Sequence, residues 1–194
     1  MPNIFIISDT HFGHEGICHF TNSNGDKIRP FSNAAEMDEF MVERWNKTVG
    51  PNDKIYHLGD IAIKRQSIQT LGRLNGQKVL IRGNHDIFKL NDYSVYFKDI
   101  RATHRLAQML VLSHIPLHRD SLKPGIFNVH GHTHANDMTY EGRADHKYLN
   151  MCVEKTEYAP VELEDVLKRV RLSIQDQNSP FASPASSQVN PPSC

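Results

Sequence analysis

Long apolar runs are missing from this 194-residue chain. Nothing in it approaches the roughly 20 apolar residues that a membrane-spanning helix needs, so no membrane partner is expected. The start, "MPNIFIISD", lacks the charged and long apolar regions of a secretory signal. Cysteine is scarce: Cys18, Cys152 and Cys194 are an odd number without metal-type spacing. They do not read as a disulfide framework, and a reduced, cytoplasmic setting is the expectation. Net charge is absent too, with 22 Lys and Arg against 22 Asp and Glu. No global basic field therefore favours non-specific nucleic-acid binding, and no stripe of alternating aromatic and basic residues marks a processive nuclease. No internal repeat is found.

Histidine is in excess. There are twelve, of a residue type outside the commonest in average proteins, and such an excess points to metal or proton chemistry. Short β-rich runs recur at 3–7, 54–58, 78–81, 109–112, 126–129 and 148–153. Continuous apolar runs bounded by turns suit strands buried on both faces. Between the first three lie helical patterns. In 33–50, Met37, Phe40, Met41 and Trp45 share one helix face, with Asn33 and Glu36 as a start and Gly50-Pro51 as a stop. A weaker helix is predicted over 65–76. A last one over 161–174 puts Leu163, Val166, Leu167, Val170 and Ile174 on one face. Strand alternating with helix predicts an α/β domain over residues 1–175, with the later strands joined by hairpin-length links. Residues 176–194 are Pro, Ser, Asn and Gln with little to bury, and read as a disordered tail.

The chemistry sits at the polar ends of the strands. "IFIISDTHFGH" turns polar at Asp9 and His11, "LGD" ends on Asp60, and "RGNHD" brings Asn84, His85 and Asp86. "LSH" ends on His114, and "VHGHTH" brings His132 and His134. Each alone has a bland reading: Gly-Asp is commonplace, Gly-Asn-His-Asp makes an ordinary turn, and surface loops carry His-x-His pairs. Together they place ligand-type side chains at five strand ends, and in open α/β sheets the carboxyl ends of strands line the ligand crevice. Asp, His and Asn without thiolate suit manganese, iron, zinc, nickel or cobalt. Seven candidates exceed the four ligands of a structural metal but suit two metals about 3.5–4 Å apart sharing one carboxylate, an arrangement fitted to phosphoryl hydrolysis. Glycine before Asp60, Asn84 and His132 lets backbone approach a crowded site.

In this order (D-x-H, G-D, G-N-H-D, a lone H, G-H-x-H) the chain resembles the calcineurin-like metallophosphoesterases, and "SDTHFGHEGI", "RPF", "MDEFMVERWN" and "YHLGD" look like their small single-domain bacterial and phage members. The resemblance implies a four-layer α/β/β/α sandwich. It implies that Asp9, His11, Asp60 and His134 hold one divalent ion, and that Asp60, Asn84, His114 and His132 hold the other, with Asp60 bridging. Manganese is the first expectation, with iron, zinc, nickel, cobalt or magnesium as alternatives. His85 is then a general acid or phosphate donor rather than a ligand, with Asp86 as a neighbour that orients it. The activity implied is phosphodiester hydrolysis by an activated hydroxide. Phosphomonoesters, cyclic nucleotides and nucleic-acid ends are alternative substrates, and a non-catalytic scaffold is the reading from another class. His14, Arg29 and His118 are candidate substrate contacts, each with a plain loop-anchoring alternative. His57 reads as a satisfied core histidine and His130 as support for the ligands.

Overall fold

In the computed structural model, which describes residues 2–22 and 24–177, the first apolar run forms strand β1 (Ile4–Ile7). Helix α1 (Ala34–Thr48) begins where Asn33 accepts the Glu36 amide (2.9 Å) and Glu36 accepts the Ser32 amide (2.8 Å). The first bond satisfies a first-turn donor that has no partner inside the helix, and the second ties the first turn to the residue before the cap. Met37, Met41 and Trp45 are buried as predicted, but Phe40 is 38% exposed and Val42 takes its place in the core. Strand β2 (Lys54–His57) pairs in parallel with β1, and β3 (Gln77–Ile81) pairs in parallel with β2. The link between them is a 3-10 helix over Arg65–Arg73 rather than an α-helix, still burying Ile68 and Leu71. Thr70 and Gly72 within it are weak α-helix formers.

Helix α2 (Leu90–Ser94) leads to β4 (Phe97–Arg101), parallel to β3 at the sheet edge. The chain then crosses to a second sheet of β5 (Thr103–Leu106), β6 (Leu110–Ser113), β7 (Phe127–His130) and β10 (Tyr148–Asn150), beside a small hairpin of β8 (Thr139–Tyr140) and β9 (Arg143–Ala144). Within the second sheet the antiparallel pair is β5 with β6. β6, β7 and β10 run parallel, which corrects the expectation of hairpin links throughout this half. Strand β11 (Val161–Glu162) returns antiparallel to β1, and α3 (Leu163–Gln177) comes after it. The tail expected from 176 onward falls almost wholly outside the described residues.

One core cluster joins α1 and the 3-10 helix to one face of the first sheet through Phe5, Ile7, Leu80, Met37, Trp45 and Leu71. A second joins the other face (Ile6, Tyr56, Val79) to the second sheet (Leu112, Val129, Leu149) and to Val166 and Val170 of α3. This is the mixed α/β sandwich that the resemblance implies. Among the described residues no helix is long and apolar enough to cross a membrane, and Cys18 and Cys152 are free thiols. Six strands, β1, β2 and β3 of one sheet and β6, β7 and β10 of the other, run parallel within their sheets and end beside one another. The site is built on those ends.

Candidate metal centre

The loop after β1 is tied to the loop after β2 by its backbone. The amides of Asp9, His11 and Phe12 donate to the carbonyls of Gly59, Asp60 and Ile61 at 3.0, 3.0 and 2.7 Å. Asp9, His11, Asp60, His132 and His134 all adopt left-handed backbone, with φ between 50° and 69°. Such conformations cost of order 1 kcal/mol or more for a non-glycine residue and gather where a site demands them. Gly59 has φ 98°, and a Cβ there would lie 2.5 Å from the Gly83 amide nitrogen and 2.8 Å from the Ile81 carbonyl. A Cβ on Gly131 would strike Ser8 Oγ and Asp9 Oδ2. Gly59 is therefore where the loops after β2 and β3 touch, and Gly131 is where the loop after β7 of the second sheet meets the loop after β1.

These loops bring six of the seven expected ligands into two groups. Ligand atoms of Asp9, His11 and His134 lie within 4.8 Å of one another, and so do those of Asp60, His114 and His132. The seventh, Asn84, sets its Oδ1 2.8 Å from His114 Nε2. Asp60 Oδ2 joins the groups, 3.4 Å from His114 Nε2 and 3.7 Å from His11 Nε2. Both carboxylates are divided in labour. Asp9 Oδ2 accepts from Ser8 Oγ (2.5 Å), the His132 amide (2.9 Å) and Cys152 Sγ (3.3 Å), whereas Oδ1 is buried without a partner. Asp60 Oδ1 accepts the His85 amide (2.8 Å), leaving Oδ2 to face the histidines. Burial opposes ionisation of Asp9 and Asp60. The surrounding histidine rings outweigh it and hold both carboxyls below the usual carboxylate range.

Residues 3–151 match the model of the calcineurin-like phosphoesterase superfamily domain. The chain belongs to that superfamily. It is 33% identical over 180 residues to an uncharacterised protein of Methanocaldococcus jannaschii, covering 88% of this chain and 92% of the other. It is also 28% identical to the gene 66 protein of Mycobacterium phage L5, over 70% of this chain and 79% of that one. Among solved structures, a protein of unknown function from Aquifex aeolicus aligns with 87% of this chain and 99% of its own at a TM-score of 0.63. At 24% identity that likeness speaks to the fold alone.

Calcineurin-like phosphoesterases are metal-dependent, and the donors here fit a divalent ion. Both ring nitrogens of His11 and Asp9 Oδ1 are buried without hydrogen-bond partners, which is rare for polar atoms of a folded chain. His114 Nδ1 lies 2.8 Å from the Leu58 carbonyl. A carbonyl can only accept, so Nδ1 carries the proton. Its Nε2 then points a lone pair at the oxygens of Asn84 and Asp60, an arrangement that a cation resolves. Without one, those oxygens draw a second proton onto the ring: burial alone would lower the pKa of His114, but the Asp60 and Asp9 carboxylates raise it above the ordinary histidine value. His134 likewise spends Nδ1 on Glu154 Oε1 at 3.0 Å, leaving Nε2 for the site.

Several residues act from beneath these candidate ligands. Arg29, which the sequence leaves open as a substrate contact or an anchor for its loop, is fully buried. Its Nε donates to Glu154 Oε1 (2.8 Å), Nη1 to the Thr10 carbonyl (2.9 Å) and Nη2 to the Asp9 carbonyl (2.6 Å). Closed off from solvent, it props the β1 loop. Asp86 does not orient His85. Its carboxylate accepts the amides of Asp60 (2.9 Å), Ile61 (3.0 Å) and Gly83 (2.8 Å), clamping the β2 and β3 loops together. His57 is the satisfied core residue expected. Nδ1 accepts the Gly59 amide (3.1 Å), Nε2 meets Thr10 Oγ1 (3.0 Å), and burial pushes its pKa down to about 3. His130 is buried, with Nδ1 2.8 Å from the Gly131 carbonyl.

The rim holds the remaining candidates. His14 lies beside His11, ring centroids 5.8 Å apart, and its Nδ1 accepts the Ile17 amide at 3.1 Å. His85 is 53% exposed, with Nε2 4.0 Å from Asp60 Oδ2. His118 is 78% exposed, and its ring caps its own turn by accepting the Asp120 amide (3.3 Å). Sequence reasoning missed Glu154, although the rule that found the others, that ligands cluster at strand ends, reaches it just past the 148–153 run. It also missed Asp38 of α1, for which the sequence carries no signal.

Asp38 accepts the Gly13 amide with both carboxylate oxygens (3.1 and 2.9 Å), bracing the loop between His11 and His14. Burial pushes its pKa up to about 6. The folded chain thus binds this proton more tightly than the unfolded chain, so the contribution of Asp38 to stability falls as pH rises from roughly 4 to 6. Asp38→Asn removes the titration. The urea midpoint of the variant should gain on that of the parent as pH rises across that range, and a constant difference would refute the assignment.

Proposed function

We propose that the chain hydrolyses phosphodiesters with two divalent ions, manganese first among them. Asp9, His11, Asp60 and His134 hold one, and Asp60, Asn84, His114 and His132 the other. The observation that carries this reading is the position of Asp60 Oδ2 between His11 and His114, at 3.7 and 3.4 Å, where one carboxylate oxygen can serve both groups. Two such ions supply acidified water and neutralise charge on the phosphate oxygens.

The chain's own groups do the rest. His85 is anchored through its amide to Asp60 Oδ1 (2.8 Å) while its ring stays half in solvent. It is placed to give a proton to the departing alkoxide, work suited to an imidazole near neutral pH. His14 accepts through Nδ1, so its proton sits on Nε2, available to a phosphate oxygen. The exposed rim at Asn84, His85 and His132 leaves room for the second ester group of a diester, which favours diesters over monoesters.

The test strips the full chain of metal, restores Mn²⁺, Ni²⁺, Zn²⁺ or Mg²⁺ in turn, and assays paired mono- and diesters, a cyclic nucleotide and short oligonucleotides. Metal-restored turnover with diesters ahead is expected. Monoesters ahead would make it a phosphatase, and silence with every metal would defeat the proposal. In the same assay His85→Ala should keep its metal content and lose about a hundredfold or more in kcat.

A further inference from the structure

The two sheets are stitched together on one side of the site and parted on the other. On the closed side Ser8 and Cys152 form a parallel bridge, and the Val153 amide donates to the Ser8 carbonyl at 3.1 Å. On the open side, where the chain crosses from β4 to β5 at Ala102, lies a groove of about 330 Å³. Its walls include Arg82, Asn84, Thr103, His114, Ile115 and Leu117. Asn84 and His114 belong to the second ligand group, so the groove and the site form one continuous surface.

The groove has a definite chemistry. Its wall is held in place: Ser113 Oγ donates to the Ile115 carbonyl (2.8 Å), and the Leu117 amide donates to Asn128 Oδ1 (2.8 Å). Ile115 is nevertheless 53% exposed, an apolar side chain held out beside ionic ligands. No carboxylate is among the lining residues. The charge there is Arg82, tethered through Nε to the Asp86 carbonyl at 2.8 Å, and a guanidinium stacks readily on a planar ring. A volume of this order is that of a small-molecule site, and apolar walls with a few polar groups are how such sites choose ligands.

We propose that this groove receives a planar aromatic ester group of the substrate, aryl or nucleoside, and selects phosphodiesters that carry one over those with small alkyl groups. The inference rests on the phosphodiesterase reading for placing the phosphorus at Asn84 and His114. A small alkyl group would leave Ile115 and Leu117 facing water, whereas a ring covers them.

Calorimetric titration of the manganese-loaded full chain with phenylphosphonate, methylphosphonate and thymidine 5′-monophosphate tests this without turnover. The two phosphonates share a head group and differ in the ring, which should bind about tenfold tighter through the apolar area it covers. Ile115→Asn and Thr103→Trp should each collapse that ratio toward one and leave the methylphosphonate Kd unchanged. Thymidine 5′-monophosphate binding tighter than phenylphosphonate identifies the ring as a nucleoside, and binding weaker identifies it as an aryl group. Equal affinity for the two phosphonates, a ratio that survives both variants, or no binding of either overturns the inference. If phosphonates bind as expected but no ester is cleaved, only the phosphodiesterase reading falls.

Discussion

If the proposed two-ion site is right, Asp60→Asn is expected to take bound metal from two ions per chain to one or none and to lower diester hydrolysis by about a thousandfold or more, because one anion would hold both cations and set the charge the site offers. Asparagine is the informative replacement. It tolerates the left-handed backbone that Asp60 adopts at φ 56°, and its side-chain oxygen can still accept the His85 amide as Oδ1 does at 2.8 Å. What it removes is the second anionic oxygen, which faces His114, His11 and His85 at 3.4, 3.7 and 4.0 Å. In its place stands an amide that repels a cation. Elemental analysis of the purified variant, beside its melting temperature and its hydrolysis rate, separates the outcomes. Metal loss with an unchanged melting curve for the stripped proteins supports the bridge, and a variant that keeps two ions disproves it.

The candidate site is largely legible in the sequence because its residues come directly after apolar runs. A strand buried on both faces reads as a continuous run, and β1, β2, β3, β6 and β7 are of that kind, so the polar residues at their ends stand out. Three of the four edge strands of the two larger sheets leave no such trace, β10 being the exception. β4 and β5 are partly exposed along most of their length, and β11 is two residues long, so periodicity has little to find. Spacing alone puts Phe40 on the buried face of α1. Its ring lies at the rim of that face instead, with the Phe31 and Tyr158 rings 5.3 and 5.9 Å away between centroids.

Roles that depend on long-range contact are the hidden ones. Arg29 and Glu154 are 125 residues apart in sequence, and nothing local announces that they meet. Arginine beside a loop reads equally as a phosphate contact or an anchor until its burial is known. Asp86 misleads through adjacency: its neighbour His85 turns out to solvent while its own carboxylate turns in to collect three amides. The left-handed backbone of five ligand residues is also invisible in sequence, because none is glycine and only the fold forces it.

Glu154→Gln is the second large effect expected, and it falls on stability and metal affinity together. Glu154 Oε1 accepts from Arg29 Nε at 2.8 Å and from His134 Nδ1 at 3.0 Å, all but closed off from water. Removing its charge leaves the buried guanidinium of Arg29 with only the carbonyls of Thr10 and Asp9. Breaking a buried pair from one side costs about 3–5 kcal/mol, and the bond a glutamine oxygen can still accept argues for the lower end. His134 loses the anion that fixes its tautomer, which weakens metal binding by about 10- to 100-fold in comparable sites. The pH dependence has a definite sign. Burial opposes ionisation of Glu154, but His134 and Arg29 outweigh it and hold its carboxyl below the usual glutamate range. Its stabilisation is therefore present above the ordinary glutamate pKa and is lost as pH falls through the lower folded value, a limb that the variant should lack. Arg29→Met combined with Glu154→Gln removes both charges and distinguishes the two roles. Urea midpoints should recover toward the parent relative to Glu154→Gln alone, while titrations of the stripped protein with Mn²⁺ should stay weak. Recovery of both would make Glu154 merely a partner for Arg29, and a parent-like midpoint in the single variant would show that the buried pair does not hold the loop.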